Sequence, residues 1–336
     1  MKMKQVIAII VAATVILVTG VTGVASNIVS EMLLDKEETG SMEFMSLTDS
    51  LAYSLPEEDF IGVLDIVGEI GPTSEDMWGY TEPGTYNHDL YMAYVDELMY
   101  CDYNKGIMLY IDSPGGTVYE SDELYLKLME YKEVTGRPIW AYFASQACSG
   151  GYYIAMAADE IYANRNCWTG SIGVIVSLLN CKDLYDKLGI EEIDITSGEN
   201  KAMGSSGLDL TEEQYEILQS LVDEAYDQFV EIVCEGRDMD EKTVREIADG
   251  RIYSAKQALE LDLVDAIGSL EEEKVAFAEA EEFPEYIYYH TPEDMASNVW
   301  SSFFGMISQL KPQSDTELAT DIIENNGNGV LKYYAK

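Results

Sequence analysis

From residue 61 onward the chain alternates short, nearly unbroken apolar runs with longer stretches in which apolar positions recur every three or four residues. The first kind reads as strands buried on both faces, the second as amphipathic helices packed against them. Residues 61–66 form the first strand, and 72–88, rich in Pro, Gly, Thr and Tyr, read as a loop before helical spacing over roughly 89–101. The run 106–112 (GIMLYID) is a buried strand that stops at Ser-Pro-Gly-Gly. Residues 118–134 then carry Leu124, Leu128 and Met129 at helical spacing. A further buried strand covers 138–143 (PIWAYF), with a helix of small residues, 150–158, behind it. Residues 160–163, 173–176 and 192–196 read as strands and 181–188 as a short helix. Thr211 caps a long helix, with Glu213 or Gln214 near the third helical position. Another helix covers about 240–248, and one beginning at Ser254 runs into a strand-like 263–267.

Strands alternating with helices predict an α/β architecture in which strand–strand–helix units recur loosely. After residue 283 the pattern weakens, and the spacer NNGNG (325–329) leads to an apolar-aromatic end, VLKYYAK.

The amino-terminal region follows a different pattern. Residues 5–30 carry no charge, and 6–25 is a run of Val, Ile, Ala, Leu, Thr and Gly. Twenty such residues at 1.5 Å rise cover roughly 30 Å, the thickness of a bilayer's hydrocarbon core. Lys2 and Lys4 precede the run, and Glu31, Asp35, Glu37 and Glu38 follow it. The positive-inside rule keeps the short N-terminus in the cytoplasm and sends the rest across. A cleaved signal peptide is the competing reading, because Gly23-Val24-Ala25 fits a small-x-small cleavage pattern. Either reading puts the main domain outside the cytoplasm, and the uncleaved anchor, the expected one, makes the chain a single-pass protein of the cell membrane. The expected organisation is an anchor or signal peptide over 1–30, an acidic tether over 31–59, a catalytic domain over 60–282, and a C-terminal extension with a flexible tail over 283–336.

Composition narrows the function. Among 336 residues, 62 acidic side chains face 20 basic ones, a formal net charge of −42. Phosphate backbones are held by clustered Lys and Arg, so nucleic acid is excluded as a partner. A hydrophobic fraction of 47% supplies a sizeable core. Cys101, Cys148, Cys167, Cys181 and Cys234 are scattered with no C-x-x-C pair, which speaks against zinc ribbons and thioredoxin-like chemistry and leaves one disulfide open. The two histidines, His88 and His290, make a Ser-His-Asp triad hard to build. No metal or organic cofactor is indicated.

Candidate chemistry concentrates at Ala147-Cys148-Ser149-Gly150-Gly151. A serine there follows a buried strand and opens a helix, with glycines that allow close backbone approach and N–H groups free to face an oxyanion. The ordinary alternative is that Ser149 merely caps the helix. Asp112-Ser113-Pro114-Gly115-Gly116, at the end of a strand, suits a second oxyanion donor or is simply a strand-terminating turn. Lacking a well-placed histidine, a nucleophilic serine would need a lysine, and Lys201 stands out within SGENKAMGS (197–205). Its ordinary alternative is a solvated surface lysine. A lysine serves as a base when burial lowers its pKa by roughly 3 units.

At this point the residues carry a resemblance. SPGG (113–116), ASQACSGGYYIAMAAD (144–159), TGSIGV (169–174), SGENKAMGS (197–205) and GRIYSAKQALELDLVDAIG (250–268) together resemble the S49 serine peptidases, and among them the short bacterial signal peptide peptidases. The likeness covers about 60–275. It implies a Clp protease/crotonase-like spiral, a Ser/Lys dyad and a membrane-anchored enzyme. Residue by residue, it implies Ser149 as nucleophile, Lys201 as general base, Ser171 as a hydroxyl orienting the lysine, and the N–H groups of Gly116 and Gly150 as oxyanion hole. It further implies a ring-shaped homo-oligomer with the dyad completed between neighbours, and peptide substrates such as remnant signal peptides. Ala202 and Ser206 stand where the family often has Asp and Pro, Asp262 replaces a common glycine, and Cys148 occupies a position where a small apolar residue is usual. Two other readings fit the same fold: a catalytically silent ring scaffold, and a crotonase-type acyl-CoA enzyme. The anchor and the Ser149/Lys201 pair speak against the second.

Overall fold

The computed structural model describes residues 55–73, 85–281, 287–291 and 332–334. The predicted membrane span at 6–25, the tether up to residue 54 and the Asn/Gly spacer lie outside the described residues. Among the described residues no helix is long and apolar enough to cross a membrane.

The fold is mixed α/β. Strands β1 (Phe60–Val67), β2 (Asn104–Ser113) and β4 (Ile139–Cys148) form the parallel centre of the main sheet. Beyond β4 the sheet forks: the first half of β4 pairs with β5 (Glu160–Ala163), and its last three residues pair with β6 (Trp168–Gly170). On the β6 side β7 (Ile252–Ser254) adds antiparallel, on the β5 side β8 (Ala266–Ile267) adds parallel, and β9 (Ile287–His290) closes the far edge beside β1. A separate two-stranded ribbon joins β3 (Gly115–Thr117) to β10 (Lys332–Tyr334).

Strand alternation decides which helices cover which face. Gly62, Leu64 and Ile66 of β1 share one face, as the two-residue period requires. Helix α1 (His88–Tyr100) packs there, with Leu98 so close that a Cβ at Gly62 would come within 2.5 Å of Leu98 Cδ1. Ile61, Val63, Met108 and Trp140 share the other face with Phe277 of α8 (Leu270–Ala280), whose ring stacks on Trp140 at 4.9 Å. Helix α2 (Val118–Thr135) follows β3 directly and ends at Gly136, which takes the left-handed φ of +65° that a helix C-terminus favours. Helix α3 (Gly150–Ala155) follows β4, and α4 (Lys182–Leu188), α5 (Glu212–Arg237), α6 (Glu241–Ile247) and α7 (Ala255–Glu260) complete the set among the described residues. Reciprocal side-chain bonds box the starts of α5 (Thr211 with Gln214), α7 (Ser254 with Gln257) and α8 (Ser269 with Glu272).

Several expectations need correction. No strand forms at 173–176 or 192–196. Residues 191–199 are all exposed, Ile195 almost fully, so alternation alone finds no neighbouring edge to pair with among the described residues. The strand predicted to end at 143 continues to Cys148, because pairing with β2 and β6 outweighs the polar residues Ser145 and Gln146. Strand character in 263–267 shrinks to two residues, and β9 and α8 form where the hydrophobic pattern predicts no element. All five cysteines are free thiols, and burial pushes Cys148 and Cys167 up to about 12, so neither is a thiolate at neutral pH.

Candidate active site

Ser149 occupies the single residue between β4 and α3. Its φ of +52° is one a side-chain-bearing residue adopts only under constraint. The constraint is visible: the Ser149 N–H donates to Gly170 O at 2.8 Å and its carbonyl accepts from Tyr153 N at 2.8 Å, so both flanks of the turn are tied down. Such a strand-to-helix elbow projects the hydroxyl away from the helix. Ser149 makes no side-chain cap to α3, and its buried Oγ has no hydrogen-bond partner among the described residues. The helix-cap reading therefore fails. A buried, unpartnered hydroxyl costs stability, and it is the arrangement a nucleophile awaiting substrate and base would have.

Gly116 lies beside it. Ile70 brackets this glycine, its N–H donating to Gly115 O at 2.8 Å and its carbonyl accepting from Thr117 N at 2.9 Å. Strand alternation then turns the Gly116 N–H and carbonyl to the opposite side. Any side chain at 116 would run into the Ile70 backbone, so only glycine fits this approach. The preceding turn is fixed by Ser113, whose Oγ donates to Gly68 O at 2.6 Å and accepts from Gly115 N at 3.1 Å. A Cβ built on Gly150 would lie 3.3 Å from Gly116 N, so the two glycine backbones adjoin. The structure thus brings Ser149, Gly150 and Gly116 together although 33 residues separate the serine from Gly116.

The C-terminal strand completes this corner. β10 lies antiparallel on β3, with Tyr333 opposite Gly116, Tyr334 opposite Gly115 and Lys332 opposite Thr117. The edge of β3 on the side of Gly116 turned away from Ile70, taken here by β10, is therefore one that accepts an extended peptide.

Ser171 is held nearby in chain terms, one residue past β6. It is buried, has φ +51°, and its N–H donates to Arg251 O at 2.8 Å. Lys201 is placed differently. It is exposed in a turn whose N–H donates to Gly198 O at 3.2 Å, and its ammonium makes no hydrogen bond or ion pair among the described residues. Among the described residues Lys201 therefore lacks the apolar burial expected for it, although its neighbours 202–207 are half-buried. Neither histidine is available instead. His88 Nδ1 pairs with Tyr86 Oη at 2.9 Å and Nε2 with Glu123 at 3.0 Å, while His290 Nδ1 lies 2.8 Å from Asp65. The Asp65 carboxylate raises the pKa of His290.

Residues 132–283, which contain Ser149, Ser171 and Lys201, match Peptidase family S49. The chain carries an S49 peptidase domain. A protein of Enterococcus faecium bearing the name signal peptide peptidase SppA is 40% identical over 209 residues, 62% of this chain and 60% of that protein. A Synechocystis protein with protease in its name is 44% identical over 166 residues, 49% of this chain and 59% of the relative. A chloroplastic serine protease SPPA of Arabidopsis thaliana is 29% identical over 237 residues, covering 68% of this chain and 35% of its own length. The chain thus spans less than two thirds of each of these relatives.

Proposed function

We propose that this protein is a membrane-anchored serine endopeptidase that uses a Ser149/Lys201 dyad to cut short apolar peptides, remnant signal peptides among them, outside the cytoplasm. The observation that carries the reading is the unpartnered Ser149 hydroxyl on a strained strand-to-helix turn, beside two glycine N–H groups, in an S49 peptidase domain. The names of the relatives, signal peptide peptidase and serine protease, support the same reading.

In this mechanism a substrate strand lies antiparallel on β3, as β10 does. The Ser149 Oγ attacks the scissile carbonyl carbon while its proton passes to the neutral Lys201 amine. The N–H groups of Gly116 and Gly150 hold the oxyanion of the tetrahedral intermediate. The C–N bond breaks, the leaving amine takes the proton from Lys201, and an acyl-enzyme remains on Ser149. Water then gives a proton to Lys201 and its oxygen to the acyl carbon, and Ser149 is restored. Ser171 orients the lysine.

Lys201 reaches a serine only if it is desolvated, and on a lone chain it is exposed. We therefore assign its partner to a neighbouring protomer of a ring. The segment 173–210 supports this: Ile175, Leu179, Leu188, Ile190, Ile193 and Ile195 are all exposed apolar side chains, a surface that packing against a second copy would cover. The uncharged run 6–25 supports the anchor.

A fluorophosphonate probe tests the nucleophile directly. Labelling of the full chain is expected at Ser149, located by peptide mass spectrometry, and absent in Ser149→Ala. A label elsewhere, or none on a protein that hydrolyses peptides, would overturn the assignment.

A further inference from the structure

We propose that Ser121 is a positioning residue for the oxyanion hole, setting the distance between the strand carrying Gly116 and the turn carrying Ser149–Gly150. The inference rests on the reading of Gly116 and Gly150 as the oxyanion donors.

Ser121 sits in the first turn of α2, four residues beyond Thr117, which ends β3. It is completely buried, and its Oγ donates to Thr117 O at 2.7 Å. That bond ties the end of β3 to the helix behind it. The same oxygen is the first atom a Cβ on Gly150 would strike, ahead of Gly116 N at 3.3 Å. One hydroxyl therefore touches the space between both candidate donors while holding the strand that carries one of them. Thr117 itself is bonded on two sides, its N–H to Ile70 O at 2.9 Å and its hydroxyl to Glu120, which is also buried. The strand end is thus fixed by Ile70, Glu120 and Ser121; of these Ile70 and Ser121 also border Gly150, Ser121 through a polar atom and more closely than Ile70 Cδ1 at 3.4 Å.

A serine that bonds the carbonyl four residues back is common in helices and by itself signals nothing. Its position here gives the bond a consequence. Oxyanion donors work when they lie about 2.7–3.1 Å from the developing charge, and a displacement of about 1 Å costs on the order of a hundredfold in rate. Removing the Ser121 hydroxyl frees Thr117 O and opens space beside Gly150, so β3 and the Ser149 turn lose their fixed spacing. Substrate still pairs with the β3 edge, so binding persists while the transition state loses a donor.

The test measures steady-state hydrolysis of an apolar fluorogenic peptide by the purified full chain, together with thermal unfolding. Ser121→Ala is expected to lower kcat about tenfold or more with KM within about twofold, and Ser121→Cys, near in size but a poor donor, to do the same. The cysteine variant serves if the alanine variant does not fold. Gly150→Ala removes less activity in the Ser121→Ala background than in wild type, because its methyl then has room. Wild-type kcat in both Ser121 variants, or strictly additive effects of Ser121→Ala and Gly150→Ala, would overturn the proposal. Ser149→Ala is run in parallel. If it is inactive while the Ser121 variants are normal, only the role of Ser121 falls. If it retains full activity, the reading of the site falls with it.

Discussion

Two buried side chains lack hydrogen-bond partners among the described residues, Ser149 and Glu273, and they call for different accounts. Ser149 keeps a small, neutral hydroxyl free at a turn that other backbone bonds hold in place. Glu273, in α8, buries both carboxyl oxygens near Tyr162 and Tyr288, and desolvation pushes its pKa well above the ordinary carboxylate value. Lys274 beside it opposes that shift only weakly. The folded pKa of Glu273 lies above the unfolded one, so folding favours the protonated acid. Its contribution to stability is complete below the unfolded value of about 4.3 and is lost as pH rises toward the folded value. Glu273→Gln is expected to unfold at nearly the wild-type temperature near pH 4 and at a higher temperature by pH 8. Parallel melting-temperature profiles for the two proteins would contradict this account. Ser149 and Gly116 were legible in the sequence because each sits in a short local motif, a serine or glycine pair at the end of an apolar strand. Ser121 was not, since nothing within α2 distinguishes a helix serine from one wedged against Gly150.

At the scale of elements, β3 is the pivot. It is three residues long, yet Ile70 binds one side and β10 the other. The register of Tyr333 against Gly116 puts residues 332–334 on the edge where the proposed substrate strand would lie. Deleting residues 329–336 is accordingly expected to lower KM for an added peptide severalfold with kcat little changed, measured by steady-state kinetics. An unchanged KM would mean that β10 does not compete for this edge. The central strands and the long helices could be read from hydrophobic period, and Thr211 and Ser254 from their capping positions. Strands β9 and β10, of four and three residues, could not, because runs this short establish no period even though their Ile and Tyr residues favour strand. Helix α8 did leave a signal, the box Ser269-x-x-Glu272 ahead of an apolar stretch.

For the molecule as a whole, the question is what covers the segment 173–210. Ile193 and Ile195 alternate as in a strand, with 73% and 98% of their surfaces open to solvent, and they flank the turn of Lys201 on a chain of net charge −42. So much like charge opposes association, so apolar contact has to supply the attraction. Ile193→Asp with Ile195→Asp is expected to shift the protein to smaller species in multi-angle light scattering and to remove most peptidase activity. Intact assembly in that variant would place the interface elsewhere. A motif specifies residue type and spacing along one chain and not contacts with another, so the expectation that Lys201 meets the serine of a neighbour comes from the family resemblance alone. The most direct test of the dyad shared between protomers mixes two inactive proteins. Full chains of Ser149→Ala and Lys201→Ala are each expected to be inactive on an apolar fluorogenic peptide, and an equimolar co-refolded mixture to regain part of the wild-type rate. Full activity in Lys201→Ala alone, or no recovery in a mixture shown to form mixed oligomers, would contradict the account.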